Sequence, residues 1–307
     1  MPFFLGIDGG GSKTRCVVGD ENSVLGSGSS ASCKVQRVGE ACARDSLAAA
    51  IHESCVQAGM SPRQIARTCA GVTGSARPEI ASIMRELIAS IVAGNIEVVG
   101  DVEIAFEDAF GDGSGVLVIA GTGSIAYGRN SKGDIARAGG WGHAISDEGS
   151  GYWIGVESVR AALRARDRGS DSELLRELMD KLATAKVDDF IVMMNASPAP
   201  DFSAFFPAIL AAGDRGDALA TKVLEEAGIE LAKLVQIVIE RLFADNQPIQ
   251  VATHGGVLGS SAQVRRSLAA NITCRNPHVA LSVHPVDPAH GALNRARKQF
   301  GSAAISG

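Results

Sequence analysis

The chain has 307 residues, of which 46% are hydrophobic and 21% charged, with a net charge of -5; such a length buries one large core or two smaller ones, and two domains is the better expectation. The acidic balance gives no electrostatic reason to bind nucleic acid, no uncharged apolar stretch approaches the ~18 residues of a membrane span, and "MPFFLGIDGG" lacks the basic start of a leader. A cytoplasmic protein without nucleic-acid or membrane partners is expected, and whether it forms a homodimer is left open.

Three β-type runs come first, at 3–7, 15–19 and 23–28, and the first two flank the glycines of "GIDGGGSKT". Such glycines let backbone amides approach phosphate oxygens. Neither common phosphate-loop spacing fits. Counted from Gly6, the P-loop pattern requires lysine where Ser12 stands, and Lys13 arrives one residue late. A dinucleotide fingerprint needs glycine at Thr14 and a helix after it, whereas "RCVVG" is β-type. The loop is therefore read as joining strand to strand, and turn formers at 20–23 make a second hairpin. "GEACARDSLAAAIHESCVQAGM" then has helical spacing. "RTCAGVTG", "RPEIASIMRELIASIVA", "NIEVVG" and "DVEIAFEDAF" alternate strand and helix, which argues for a parallel continuation of the sheet. Cys16, Cys33, Cys42, Cys55 and Cys69 fall in this region and Cys274 far beyond it, with no C-x-x-C, so buried reduced thiols are expected rather than a metal site or disulfides.

The turn cluster "GDGSG" is the expected boundary, giving domains 1–112 and 113–307, with the last helix, at 288–300, expected to pack back onto the first. "VLVIAGTGSIAYGR" then echoes the opening: strand, small-residue loop, strand. That echo suggests two similar sheets facing each other, each with a phosphate loop. Helices are expected at 152–166, 171–185, 202–212 and 217–243, followed by the strand of "IQVATHGGVLGS" and a helix at 261–268. The last helix, "DPAHGALNRARKQF", carries basic residues at its end, where the helix dipole favours them.

Several residues along this plan carry chemistry. Asp8 ends the first strand at the glycine loop, where a carboxylate holds Mg²⁺ against phosphates or bonds the loop's own backbone. Thr14 and Thr122 are read as counterparts whose hydroxyls donate to phosphate oxygens. Asp101 follows a strand and opens a helix, which suits both an N-cap and a general base for a substrate hydroxyl. "GGWGHAISDEGS" packs Trp141, His143 and Asp147 among glycines. There Trp141 either covers the apolar face of a sugar or anchors the core, and Asp147 either accepts from sugar hydroxyls or favours the next helix start. His143 is structural or a ligand contact, and Ser150 caps the following helix. Gly255 and Gly256 end a strand where a flat adenine can lie against backbone.

These motifs, in this order, resemble the N-acetylglucosamine kinase branch of the BadF/BadG-type ATPases in the actin-like ATPase superfamily. The resemblance rests on "GIDGGGSKT", "GDVEIAF", "GTGS", "GGWGHAISDEGS" and "GGVLGS". It implies an α/β fold of two ribonuclease-H-like domains flanking a nucleotide-binding cleft, with ATP and Mg²⁺ as cofactors and an amino sugar as substrate. It further implies that Asp8 serves the metal, that Gly10, Gly11, Ser12, Lys13, Thr14, Thr122 and Gly123 hold phosphates, and that Gly255 and Gly256 lie at the adenosine. Asp101 would be the base for the sugar 6-hydroxyl, and Ser124, Gly140, Trp141, Gly142, His143 and Asp147 would line the sugar site. The implied reaction is γ-phosphoryl transfer to N-acetylglucosamine or a related hexosamine. Two positions depart from the pattern: Ser32 or Cys33, and Ile125, stand where an Asn is often found, which bears on glucosamine as the alternative substrate. An activator of an acyl-CoA dehydratase or reductase shares the fold but needs cysteine near the second phosphate loop, and none occurs between Cys69 and Cys274. A sugar-responsive regulator is expected to add a DNA-binding module, for which residues before the first strand leave no room.

Overall fold

A computed structural model describes residues 1–170, 172–244 and 247–304, with side chains as far as 298 in the final helix. In chain order the elements are β1 (Phe3–Gly9), β2 (Lys13–Gly19), β3 (Val24–Ala31), α1 (Val35–Gln57), β4 (Ile65–Val72), α2 (Pro78–Ala89), β5 (Asn95–Gly100) and α3 (Asp101–Phe110). They continue with β6 (Gly115–Ala120), β7 (Ser124–Arg129), β8 (Ile135–Gly139), α4 (Gly151–Asp167), α5 (Glu173–Lys181), α6 (Val187–Met194) and α7 (Phe206–Asp214). The last are α8 (Ala218–Leu242), β9 (Ile249–His254), α9 (Gly256–Ser260), α10 (Ala262–Arg275), β10 (Val279–Leu281) and α11 (Pro288–Ala304). The chain divides into two compact units, Met1–Gly113 with the segment from Val286 onward, and Ser114–Pro285.

In the first unit the sheet order is β3-β2-β1-β4-β5. β1, β2 and β3 pair antiparallel, whereas β1, β4 and β5 run parallel. Successive side chains of a strand point to opposite faces, and β1 shows what that does. Leu5 and Ile7 enter one core with Leu47 and Ile51 of α1 and Met84 and Ile88 of α2. Phe4 enters another with Ile104 of α3 and Ala289, Ala292, Leu293 and Ala296 of α11. The spacing of those four α11 residues makes one helical stripe. Gly6 lets that stripe lie directly on β1, since a Cβ there would stand 2.3 Å from the Ala289 carbonyl oxygen. The basic residues of α11 do not serve its C-terminus as expected. Arg295 pairs with Glu97 at 2.8 Å and Lys298 with Glu107 at 2.6 Å, so these charges tie the helix to β5 and α3.

The second unit has the order β10-β9-β6-β7-β8. β6, β7 and β8 pair antiparallel, and β6, β9 and β10 parallel. Read from β8, this is the same order and the same set of directions as the first sheet, so the sequence echo is a topological one. The core gathers α4, α8 and α10 on this sheet, with Ile154, Leu224, Leu231, Val235, Val264 and Leu268 fully buried.

The structure differs from the sequence reading in several places. α1 begins at Val35 and kinks at Gly39, whose φ of 78° interrupts the helix and made the glycine look like its start. α6 and β10 were not expected. β10 is three residues long, too short for a periodic pattern, and it exists because β9 offers it a parallel partner. The start expected for α5, Asp171, lies outside the described residues, and Ser172 caps the helix. Cys16, Cys33, Cys55 and Cys69 are buried, but Cys42 and Cys274 are exposed, and all six are free thiols. Among the described residues no helix is long and apolar enough to cross a membrane.

Candidate functional site

The parallel strands of the first unit end level, with Gly9 beside Val72 and Val72 beside Gly100. The residues that leave this edge are Gly10, Thr73 and Asp101, and the carboxyl edge of parallel strands is where α/β proteins bind ligands. Asp8 stands one residue inside it. Burial pushes the Asp8 carboxyl up to about 6 and the neighbouring Asp101 charge adds to the rise, with Lys13 opposing it, Asp287 adding and Arg15 opposing. Such a carboxylate, disfavoured by desolvation and by a second acid, is relieved by a cation, so the residues fit a Mg²⁺ at Asp8. No group of three or more His, Cys, Asp or Glu side chains converges among the described residues. A magnesium ion here would therefore rely on water and nucleotide oxygens for most of its shell, which is its usual mode.

Asp101 is the first residue of α3 and not its cap. Gly100 holds the N-cap position, and its amide donates to Glu103 Oε1 at 3.0 Å. The Asp101 carboxylate instead accepts from Thr73 Oγ1 at 2.6 Å through Oδ2 and from the Val102 amide at 2.9 Å through Oδ1.

The hairpin after Asp8 closes with the Gly10 amide donating to the Lys13 carbonyl at 3.1 Å. Its carbonyls are held from behind. Ser32 Oγ donates to Gly10 O at 3.1 Å and Arg37 Nη1 to Gly11 O at 2.9 Å. Ser12 and Lys13 are exposed at the tip. Thr14 is not: it is fully buried and its hydroxyl donates to Ala31 O on β3 at 2.8 Å. Its expected bond to phosphate is therefore corrected, because the hydroxyl is used to fasten β2 to β3. Ser32 and Cys33 are likewise buried, Ser32 against the loop and Cys33 beneath Gly9.

In the second unit β6 ends at Ala120, paired with Ser124, and Gly121, Thr122 and Gly123 form the loop between them. The equivalent pair in the first sheet is Gly9 with Thr14. The counterpart of Thr14 is thus Ser124, and not Thr122 as the sequence reading had it. Ser124 behaves like Thr14: it is buried, and its hydroxyl donates to Glu148 O at 2.7 Å, which corrects its expected contact with sugar. Thr122 is exposed at the tip of the hairpin. Gly255, at the end of β9, lies against the end of β6, with a φ of 99° and a would-be Cβ only 2.4 Å from Ala120 O. That close approach brings the expected adenosine glycines beside the second hairpin, with Gly256 open around its Cα.

The glycine-rich segment between β8 and α4 is stitched to the same hairpin. The Gly151 amide donates to Gly121 O at 2.8 Å and the Tyr152 amide to Thr122 O at 3.3 Å. Asp147 is 7% exposed, with a φ of 71° that a residue with a side chain rarely adopts. Burial pushes its carboxyl up, and the bonds it accepts from the Ser124 and Gly142 amides pull it down. Asp147 thus joins the expected sugar loop to the hairpin between β6 and β7. Ser150 caps α4, accepting from the Trp153 amide. Trp141 is 63% exposed, which excludes the core-anchor reading, and the Arg137 guanidinium stacks 4.2 Å from its ring centroid. His143 is exposed and its ring packs against that of Tyr152, tilted by 44° with centroids 4.5 Å apart. Ile125 packs directly against Gly140.

Thr73, Arg37 and Arg137 were missed from sequence. Arg137 precedes Trp141 by one strand end, but no local pattern marks the other two.

Residues 5–295 match the BadF/BadG/BcrA/BcrD ATPase family. The N-acetylmuramic acid/N-acetylglucosamine kinase of Clostridium acetobutylicum is 33% identical over 312 residues, covering 97% of this chain and 99% of that protein. N-acetyl-D-glucosamine kinase of Dictyostelium discoideum is 27% identical, covering 94% of this chain and 96% of that one. Among solved structures, a candidate N-acetylglucosamine kinase from Chromobacterium violaceum superposes with a TM-score of 0.78 at 23% identity, over 96% of this chain and 98% of that one. A ROK family glucokinase from Streptomyces griseus, in complex with glucose and AMPPNP, superposes at 0.59 with 15% identity, over 96% and 99%. Both likenesses bear on the fold alone. With a match that runs through every motif from the first strand to the last helix, the chain belongs to the BadF/BadG/BcrA/BcrD ATPase family.

Proposed function

We propose that this protein is an ATP-dependent amino-sugar kinase that transfers the γ-phosphoryl group to the 6-hydroxyl of N-acetylglucosamine or a related hexosamine. The observation that carries the reading is the pair of acids at the carboxyl edge of the first sheet, Asp8 and Asp101, close enough for the charge of one to raise the pKa of the other. Full-length relatives named as kinases of N-acetylated amino sugars support the substrate class.

Asp101 takes the proton from the attacking hydroxyl. Its carboxylate is already oriented by two donors, so the base is set before the substrate arrives. Asp8 holds Mg²⁺, which when bound neutralises charge on the nucleotide phosphates. Each hairpin offers an exposed tip suited to phosphate oxygens, with Ser12 and Lys13 in the first unit and Thr122 in the second. Trp141 covers the apolar face of the sugar, with its exposed ring backed by Arg137.

A coupled ATPase and product assay tests this across N-acetylglucosamine, glucosamine, N-acetylmuramic acid and glucose. Turnover should depend on an amino sugar and yield its 6-phosphate. Asp101→Asn should lower transfer by at least about 100-fold while nucleotide binding persists. Sugar-independent hydrolysis alone, or an Asp101→Asn enzyme that keeps most of its turnover, overturns the assignment.

A further inference from the structure

We propose that Thr73 is a positioning residue for phosphoryl transfer, the joint that holds the base in register with the strand carrying the metal acid; this rests on the reading of Asp101 as the base. Thr73 is the first residue beyond β4, between Asp8 on β1 and Asp101 after β5. Its amide donates to Gly9 O, next to Asp8, at 3.3 Å. Its hydroxyl donates to Asp101 Oδ2 at 2.6 Å. One residue therefore ties both ends of the acidic pair, through backbone on one side and side chain on the other.

The side-chain bond does what the backbone cannot. A carboxylate at the start of a helix rotates freely about its terminal torsion, and the Val102 amide fixes only Oδ1. The Thr73 hydroxyl fixes the other oxygen and so selects the rotation in which an unshared pair meets the substrate hydroxyl. A bond to a charged acceptor is stronger than a neutral one, and small misplacements of a reacting group are amplified in rate. The backbone of this turn does not depend on the hydroxyl. The Ser75 amide donates to Val72 O at 3.2 Å and Ser75 Oγ to Val99 O at 2.8 Å, so the turn after β4 keeps its shape when residue 73 loses its donor.

The test compares Thr73→Val, which keeps the shape and removes the donor, with Thr73→Ser, which keeps the donor, in the full chain with ATP and N-acetylglucosamine. Thr73→Val should lower kcat by about 10- to 100-fold, the range for losing a hydrogen bond to a charged group, with both KM values within about twofold of wild type. Thr73→Ser should recover kcat to within about threefold of wild type. The proposal fails if Thr73→Val keeps more than half the wild-type kcat, if Thr73→Ser is as slow as Thr73→Val, or if the loss falls on KM. Should Thr73→Val not fold, Thr73→Ala against Thr73→Ser gives the same comparison. Asp101→Asn in parallel separates the two readings. If it is inactive while Thr73→Val is fast, only the joint is wrong; if it retains turnover, the base reading falls and the joint with it.

Discussion

Asp8→Asn should make the protein more stable at neutral pH and less active. In the folded chain the Asp8 carboxyl ionises at about 6 instead of its ordinary 3.8, because burial and the charge of Asp101 disfavour the anion. The unfolded chain ionises it without that penalty. The sign follows: the folded state is favoured while the group is protonated, the advantage shrinks as pH rises from near 4, and it is gone above about 6. At about 1.4 kcal/mol per pH unit, the whole effect is about 3 kcal/mol. Asparagine has the same shape and never ionises. Urea unfolding of both proteins by circular dichroism, without divalent ions, should therefore show a stability difference that grows by about 2–3 kcal/mol in favour of Asp8→Asn between pH 4 and pH 7.5. Millimolar Mg²⁺ with nucleotide should stabilise the wild type more than the variant. A difference that stays constant across this range, or a variant that loses ground as pH rises, would refute the account of Asp8 as a strained, charge-poised ligand.

Two further outcomes test the second unit. Trp141→Ala removes a ring that is mostly in solvent, so the melting temperature should move by no more than about 2 °C, while the sugar KM rises about tenfold; an unchanged KM would show that the ring does not meet the sugar. Gly255→Ala forces a Cβ to 2.4 Å from Ala120 O at a φ of 99°. It should cost about 2 kcal/mol or more and weaken binding of a non-hydrolysable ATP analogue in calorimetry; full stability with wild-type affinity would contradict the close approach of β9 to the hairpin.

What the sequence alone determined is local. Alternation and turn formers specified the strands and hairpins around Asp8 and Thr122, and the position of Asp101 right after an apolar run was legible, because strand period and turn chemistry need only near neighbours. Tertiary structure decided which groups face the chemistry. Strand pairing, Gly9 with Thr14 in one sheet and Ala120 with Ser124 in the other, made Ser124 the counterpart of Thr14 and turned both hydroxyls inward, a matter of one or two residues of register that no local pattern records. Thr73 and Asp101 meet across 28 residues, and Arg37 reaches Gly11 across 26. The Asp147 carboxylate, which looks free for a ligand in "SDEGS", is turned onto the Ser124 amide. The return of the last helix to the first unit was legible in the sequence, but its seat was not: α11 lies directly on β1, where Gly6 leaves room for it. Side-chain direction in a strand is set by its partner, and hydrogen bonds between distant segments exist only once the sheet brings their ends to one edge.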